Sequence, residues 1–145
     1  MEAQDHPLEI FNKCGLELPF QNSEAAFLLD QISEQHNVAF SFVEVVFVDE
    51  SGIVQINKEY LKRDYVTDII SFRYDDNATN LEIEGTLYCC APRIKEQASE
   101  YNQPLKVEFL RIIIHGLLHL SGYEDSTIEE KKEMTHLEDH FLNLI

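Results

Sequence analysis

The sequence predicts an α+β fold in which a small sheet of about four strands packs with about five helices. Two observations support this prediction. Most runs rich in valine, isoleucine and phenylalanine lie before residue 91, whereas the later segments have helical periodicity and two of them begin at prolines. The chain has 145 residues, of which 44% are hydrophobic, so it is long enough to form one domain, spanning 1–145, with its own core.

The first half alternates extended and helical segments. Runs of β-branched and aromatic residues predict strands, and apolar residues three or four apart predict helices. Strands are predicted over 7–13 and 38–52, the latter including its terminal turn, with an amphipathic helix over 22–37 and a short helix within 53–64. Asn22 or Ser23 is expected to cap the first helix, since both residue types cap well.

The second half begins with two strands and continues with helices. Strands over 67–74 and 82–90, separated by a polar loop over 75–80, are expected to pair antiparallel. Helices then follow from Pro92 to about 102, from Pro104 to about Leu120, and from about Ser126 to the C-terminus. Proline suits a first helical turn, where its missing N–H has no partner, and Gly122 is typical of a helix end.

The charge and composition of the chain limit the kinds of partner that it is expected to bind. The formal net charge is −16, with 11 basic and 27 acidic residues, so the chain as a whole repels polyanions at long range. Four of the basic residues lie between Lys58 and Arg73, which makes this segment the expected phosphate-binding track. The acidic start, the absence of an apolar run of membrane-spanning length and three cysteines without a disulfide framework predict a cytoplasmic protein with no membrane partner.

The most informative segment is HGLLHLSGYED, residues 115–125. On a helix, His115 and His119 share one face, with Cβ atoms roughly 6 Å apart, so both imidazoles can reach one cation. Gly122 lets the chain turn back, which brings Asp125 toward the same ion. Two histidines and one carboxylate leave a fourth position open, and this arrangement is typical of one catalytic zinc ion.

Other interpretations of these residues stay open. Backbone carbonyls alone can satisfy two core histidines, and Glu124 is a rival third ligand. Ser126 with Glu129 forms a capping-box pattern, which leaves Asp125 free of capping. A second pair at the same spacing, His136 and His140, lies among charged residues near the C-terminus, so a solvated helix face is the favoured interpretation. Nearby Met134 and Leu137 are predicted to be core residues.

Gly116 separates this helix from that of zinc peptidases. In thermolysin-type helices the residue after the first histidine is the glutamate that acts as general base. Here it is glycine, which weakens a peptidase interpretation and leaves the water-activating base unassigned.

The histidine segment resembles the YbeY family of metal-dependent endoribonucleases. The family pattern is His-Gly-x-Leu-His-Leu-x-Gly-Tyr-Asp-His, and seven positions match: His115, Gly116, Leu118, His119, Leu120, Gly122 and Tyr123. The chain departs from the pattern at Glu124 and Asp125. Because a carboxylate is a competent zinc ligand, the role of the third histidine is carried over to Asp125.

A second segment, INKEYLKRDYVTDIISF, also resembles the family, at Asn57, Tyr60, Thr67, Asp68, Ser71 and Phe72. The family usually has an arginine implicated in catalysis directly after the aromatic residue, but this chain has Leu61. Lys62 and Arg63 are therefore the catalytic candidates, with Arg63 as the possible substitute for that arginine. The candidate substrate-binding residues are Ser71, Arg73 and Arg111.

The resemblance implies an α+β fold with a small mixed sheet and a metzincin-like metal helix, and the activity of a zinc-dependent, single-strand-specific endoribonuclease. It implies action in ribosomal RNA maturation, notably at the 3′ end of the small-subunit RNA, and in ribosome assembly. The expected partners are ribosomal RNA, ribosomal subunits and an assembly protein, but not DNA. Two alternatives remain at this point: a metal-dependent amide or peptide hydrolase of metzincin-like type, and a ribosome-assembly factor without catalytic activity.

Overall fold

The computed structural model of the chain describes residues 6–74 and 82–145. In these ranges the strands are Leu8–Asn12 (β1), Ala39–Val48 (β2), Ile69–Arg73 (β3) and Glu82–Cys90 (β4). They form one sheet in the order β1-β2-β4-β3. β1, β2 and β4 run parallel, and β3 runs antiparallel to β4, which confirms the predicted mixed sheet and the predicted pairing of its last two strands. The predicted polar loop over 75–80 lies outside the described residues.

The helices agree with the prediction in number and order, but the second begins at Glu50, inside the run predicted as a strand with its turn and three residues before the predicted 53–64 segment. They are Asn22–His36 (α1), Glu50–Ile56 (α2), Ala91–Glu100 (α3), Leu105–Leu120 (α4) and Ile128–Leu142 (α5). A π-helical turn, Asn57–Leu61, continues directly from α2. In the described ranges, no helix is both long and apolar enough to cross a membrane.

Two predicted helix caps are wrong by one residue. Gln21, rather than Asn22 or Ser23, caps α1, and its backbone N–H donates to the Glu24 carboxylate at 2.8 Å. The cap of α5 is Thr127, whose hydroxyl accepts from the Glu130 N–H at 3.0 Å. In both cases a glutamate three residues into the helix completes a capping box, and that reciprocal pair decides the start. The expected consequence for Asp125 still holds, because it stays outside the α5 cap.

The sheet has a different apolar layer on each face. One layer joins the sheet to α1, α4 and α5 through residues such as Val45, Phe47 and Leu87. A smaller layer under α2 contains Val46, Val48, Ile53, Ile70 and Cys90. The predicted core residues Met134 and Leu137 are confirmed, since Met134 is 3% exposed and Leu137 packs on the larger layer. α4 is the central helix of that layer and contacts α1, α3, α5, β3 and β4.

α4 approaches the sheet very closely at Gly116. A Cβ atom at this position would lie 2.7 Å from Ile69 Cδ1 and 2.8 Å from both Leu87 methyl carbons. Such contacts are closer than carbon atoms tolerate, so any larger residue here would require the terminal methyl groups of Ile69 and Leu87 to shift. Position 116 therefore faces the sheet, and a glutamate placed there would meet apolar side chains. This explains in structural terms why the peptidase base is missing next to His115.

Candidate metal centre

Three side chains converge at the C-terminal end of α4. His115 and His119 lie one helical turn apart, and their Nε2 atoms are 3.0 Å from each other. Asp125 comes from the turn after the helix: its Oδ2 lies 3.4 Å from His115 Nε2 and its Oδ1 lies 3.6 Å from His119 Nε2. One ligand atom from each residue lies within 4.8 Å of the others. The structure thus brings together the three residues that the sequence predicted to bind a metal, while Glu124 is exposed and outside the cluster.

The turn between α4 and α5 delivers Asp125 because the helix ends at a glycine. Gly122 has φ +107°, a backbone conformation that side chains with a Cβ rarely adopt. The Tyr123 N–H reaches back to the Leu118 carbonyl at 3.0 Å, and the Gly122 N–H reaches the His119 carbonyl at 3.0 Å. These bonds satisfy carbonyls at the helix end and reverse the chain direction. Asp125 consequently returns to the face that carries both histidines.

The second nitrogen of each imidazole is occupied by an acceptor. The Nδ1 of His119 lies 2.8 Å from the Tyr123 carbonyl oxygen, and the Nδ1 of His115 lies 2.7 Å from Glu138 Oε2. A carbonyl or carboxylate oxygen only accepts, so each Nδ1 must carry the proton and donate it. In the neutral rings, both Nε2 lone pairs therefore point into the space shared with Asp125.

This donor set fits a divalent cation. Two nitrogen lone pairs 3.0 Å apart beside a carboxylate repel one another unless a positive charge lies among them. Neutral imidazoles and a carboxylate are ordinary ligands of zinc, and a set of three protein ligands leaves a position for water or substrate. A carboxylate on the far nitrogen of a ligating histidine is also the usual arrangement around zinc.

The charge state of His115 reflects the same surroundings. Burial disfavours its imidazolium form. The hydrogen bond to Glu138 and the negative charges of Glu138, Asp125 and Asp68 outweigh burial, so the pKa of His115 is raised above its usual value. In the metal-free protein the cluster therefore attracts a proton, and a metal ion has to displace that proton in order to bind.

Glu138 is a site residue that the sequence did not predict. It lies on α5 with its side chain 9% exposed, and it accepts from Arg111 Nη1 at 3.0 Å as well as from His115. A signal existed in the sequence, since Met134, Glu138 and Phe141 share the buried face of α5. A carboxylate at a position expected to be apolar is rarely buried without a charged or hydrogen-bonded partner.

The catalytic candidates Lys62 and Arg63 lie on an exposed turn. Lys62 ends the π-helical turn with φ 56°, and the Arg63 guanidinium lies 6.0 Å from the centre of the Tyr65 ring. Asn57, fully buried, anchors this turn by donating from Nδ2 to the Tyr65 carbonyl at 2.9 Å. Leu61, at the position of the family arginine, packs on the smaller apolar layer.

Two of the predicted substrate-binding residues lie on β3. The Nη1 of Arg73 donates to the Leu120 carbonyl at the end of α4, at 3.0 Å. Ser71 is half-buried. It lies two residues from both Ile69 and Arg73 on the strand, so its side chain faces α4 as theirs do. β3 is an edge strand of the sheet and contacts α4.

Arg111, the third predicted substrate-binding residue, is directed toward α5. Its Nη1 lies 3.0 Å from Glu138 Oε1, and its Nη2 lies 2.7 Å from Asp139 Oδ1. Both guanidinium nitrogens that a phosphate would use are therefore already paired with carboxylates.

The second histidine pair forms no comparable cluster. His136 and His140 are exposed on α5, and His140 Nε2 lies 2.7 Å from the side-chain oxygen of Gln35. Within residues 6–74 and 82–145, His115, His119 and Asp125 are the one group of three or more ligand-type side chains close enough to share an ion.

Comparisons with known proteins agree with the site. The profile of the family described as Endoribonuclease YbeY matches residues 16–145. The Endoribonuclease YbeY of Ureaplasma parvum is 39% identical over 117 residues, which cover 80% of this chain and 76% of that protein. The Endoribonuclease YbeY of Chlorobium limicola is 35% identical over 137 residues, covering 94% and 92%. The solution structure of TM1509 from Thermotoga maritima superposes with a TM-score of 0.55 at 26% identity, covering 92% of this chain and 87% of that one.

Proposed function

The chain belongs to the endoribonuclease YbeY family, and we propose that it is a metal-dependent endoribonuclease that cleaves single-stranded RNA. One observation supports the metal dependence above all others. Two imidazole lone pairs, held inward by hydrogen bonds on the far side of each ring, meet the Asp125 carboxylate at one point. Among hydrolases, this donor set is typical of a catalytic zinc, so zinc is the proposed ion, one per chain.

The proposed roles divide between two parts of the molecule. His115, His119 and Asp125 hold the ion. When bound, it supplies positive charge that stabilises the developing charge on a phosphoryl oxygen and lowers the pKa of a water molecule. The turn at Lys62 and Arg63 binds phosphates on either side of the scissile bond and orients the strand. Ser71 and Arg73, on the α4-facing side of β3, guide the strand across the edge of the sheet.

The preference for single strands is proposed to come from exposed aromatic rings. Tyr60 is 64% exposed and Tyr65 is 53% exposed, and both flank the basic turn at Lys62 and Arg63. The Tyr60 ring stands edge-on to Phe72, with ring centres 5.4 Å apart, so its orientation is held while its outer surface stays open. Unpaired bases stack on such rings, whereas bases in a duplex are stacked on each other.

The net charge of −16 is compatible with this proposal because the contacts are local. Lys58, Lys62 and Arg63 are exposed. Within the described residues, none of these three side chains forms an ion pair. The rest of the surface repels RNA, so binding by the isolated protein should be weak and sensitive to salt. Additional affinity would come from ribosomal subunits or an assembly protein.

Membership of the family supports a role in ribosomal RNA maturation. We propose the 3′ end of the small-subunit RNA as the substrate and the cytoplasm, where ribosomes assemble, as the location. The alternative of a peptide hydrolase loses support because position 116 faces the sheet and supplies no base. The alternative of an assembly factor without catalytic activity predicts that the metal-loaded protein does not cleave RNA.

The test uses metal-free protein reloaded with Zn²⁺ and short fluorescent RNAs, one single-stranded and one fully duplex. Internal cleavage of the single strand is expected, with little cleavage of the duplex and none by His115→Ala. An unstructured peptide serves as the competing substrate. Cleavage of the peptide but not the RNA would overturn the proposal, as would RNA cleavage that His115→Ala and chelator leave unchanged. Elemental analysis of protein purified without chelator identifies the ion.

A further inference from the structure

We propose that Arg111 is a positioning residue of the metal centre and not a ligand of RNA. Through Glu138 it fixes the proton of His115 on Nδ1, so that Nε2 is left to bind the metal. The inference rests on the proposed metal site.

The contacts form a continuous chain from α5 to the site. Arg111 lies one helical turn before His115, and its Nη1 donates to Glu138 Oε1 at 3.0 Å. The other oxygen of Glu138 accepts from His115 Nδ1 at 2.7 Å. The second arm of Arg111 donates to Asp139 Oδ1 at 2.7 Å, which holds the guanidinium against α5. Each oxygen of Glu138 thus has one partner, and the two partners are the arginine and the imidazole.

Burial makes this pairing consequential. The Glu138 side chain is 9% exposed and that of Arg111 is 24% exposed. A carboxylate removed from water to this degree needs a positive partner, and removing the partner costs far more than breaking an exposed ion pair. If Arg111 turned outward to bind a phosphate, Glu138 would lose the charge that neutralises it. The Arg111 guanidinium therefore stays paired with the carboxylates of α5 and does not bind RNA.

The pairing predicts an unusual effect of Glu138→Gln. The amide has one oxygen and one NH₂ group, and Arg111 only donates, so the oxygen must face Arg111. The NH₂ group then faces His115 Nδ1, which has to accept. The imidazole proton moves to Nε2, the atom that faces His119 and Asp125. A substitution that changes almost no volume would thus block a metal ligand.

Removing the Arg111 guanidinium should partly restore metal binding by Glu138→Gln. In Glu138→Gln combined with Arg111→Met, nothing constrains the amide, and it can turn its oxygen toward His115. The double variant should therefore bind metal more tightly than Glu138→Gln alone, although each single substitution weakens binding. A purely structural role for Arg111 predicts the opposite, since the second loss would add to the first.

The experiment measures Zn²⁺ affinity of metal-free protein by competition with a chromogenic chelator. Glu138→Gln is expected to weaken affinity by about 10–100-fold, the usual effect of losing a partner behind a metal ligand. Arg111→Met should weaken it by less, and the double variant should recover at least about threefold relative to Glu138→Gln. Matched controls are Glu133→Gln, an exposed residue of α5, and Arg93→Met, which breaks a surface ion pair on α3.

A second readout tests the proton position without metal. Nitrogen-15 NMR of the histidine rings, at a pH high enough for His115 to be neutral, should show the Nδ1–H form in the wild type and the Nε2–H form in Glu138→Gln. Arg111→Lys, which keeps a positively charged donor beside Glu138, should behave as the wild type. An unchanged ring form in Glu138→Gln, or a double variant that binds no more tightly than Glu138→Gln, would overturn the inference. If the wild type binds no metal, the proposed site fails, and the NMR result still decides the role of Arg111.

Discussion

The chain contains two pairs of histidines at the same four-residue spacing, His115 with His119 on α4 and His136 with His140 on α5. The first pair is half-buried and its Nε2 atoms lie 3.0 Å apart, with the Asp125 carboxylate beside them and a hydrogen-bond acceptor behind each ring. The second pair is exposed, and His140 bonds to the Gln35 side chain.

The difference teaches that spacing on a helix only places two imidazoles on one face. A site also needs groups from other elements: Asp125 from the turn after α4, and Glu138 from α5. It needs a helix that ends where the chain can reverse, as α4 does at Gly122. In the described part of the chain, the second pair on α5 has no third ligand-type side chain close enough to share an ion.

The largest expected effect is the loss of a ligand. His119→Ala should weaken Zn²⁺ affinity by more than about 100-fold, because losses behind a ligand already cost 10–100-fold. His140→Ala, the matched change on α5, should leave affinity within about twofold. Chelator competition on metal-free protein measures both. Comparable losses in the two variants would show that the pairs do not differ as the structure indicates.

The next effect concerns the packing that positions the first pair. Gly116→Ala should lower the free energy of unfolding by about 1–3 kcal/mol, because the added methyl group meets Ile69 and Leu87 at 2.7–2.8 Å. Urea denaturation of metal-free protein provides the measurement. Thr135→Ala, at an exposed position of α5, is the control and should stay within about 0.5 kcal/mol of the wild type. Wild-type stability in Gly116→Ala would mean that the Ile69 and Leu87 methyl groups move aside at no cost, and the predicted packing strain would be wrong.

A third effect appears in the pH dependence. The raised pKa of His115 means that the folded metal-free protein holds the imidazole proton more tightly than the unfolded chain does. The stabilisation that comes from this proton is fully present below the pKa of His115 in the unfolded chain. It is lost as the pH rises through the pKa of His115 in the folded protein. Relative to His115→Gln, the wild type should therefore gain stability as pH falls through neutrality. Denaturation at pH 6 and pH 8 compares the two, with His140→Gln as the control on α5.

Metal affinity should follow the opposite trend. Protons compete with the ion for His115, so Zn²⁺ affinity of the wild type should increase from pH 6 to pH 8. An affinity that does not change with pH would mean that the imidazoles are not ligands.

The smallest expected effect is on RNA binding. Replacing both Lys62 and Arg63 with alanine should reduce the slope of log affinity against log salt by about 1.4, since each phosphate contact on a single strand contributes about 0.7. The matched variant replaces Lys131 and Lys132, two adjacent exposed cations on α5, and should leave the slope unchanged. Fluorescence anisotropy measures RNA binding, and metal-free protein is used so that the RNA is not cleaved during the measurement. Equal changes in the two variants would mean that RNA has no preferred track.

Local patterns were sufficient for most of the fold. The order of strands and helices follows from the spacing of apolar residues, and the antiparallel β3–β4 pair follows from two extended runs joined by a short polar segment. The caps at Gln21 and Thr127 were missed by one residue because the deciding hydrogen bond comes from a glutamate in the next turn. Boundaries depend on such reciprocal contacts, whereas the existence of an element does not.

By itself, the sequence determined that two imidazoles share one helical face and that the chain reverses beyond them at Gly122, because helical periodicity and glycine conformation are local properties. Only the tertiary structure decided which side chains complete the site. Glu138 lies 23 residues from His115 along the chain and 2.7 Å from it in space, and Arg111 turns toward that carboxylate. Such partners depend on how α4 and α5 pack, and a residue's spacing along the chain carries no information on the helix it will meet.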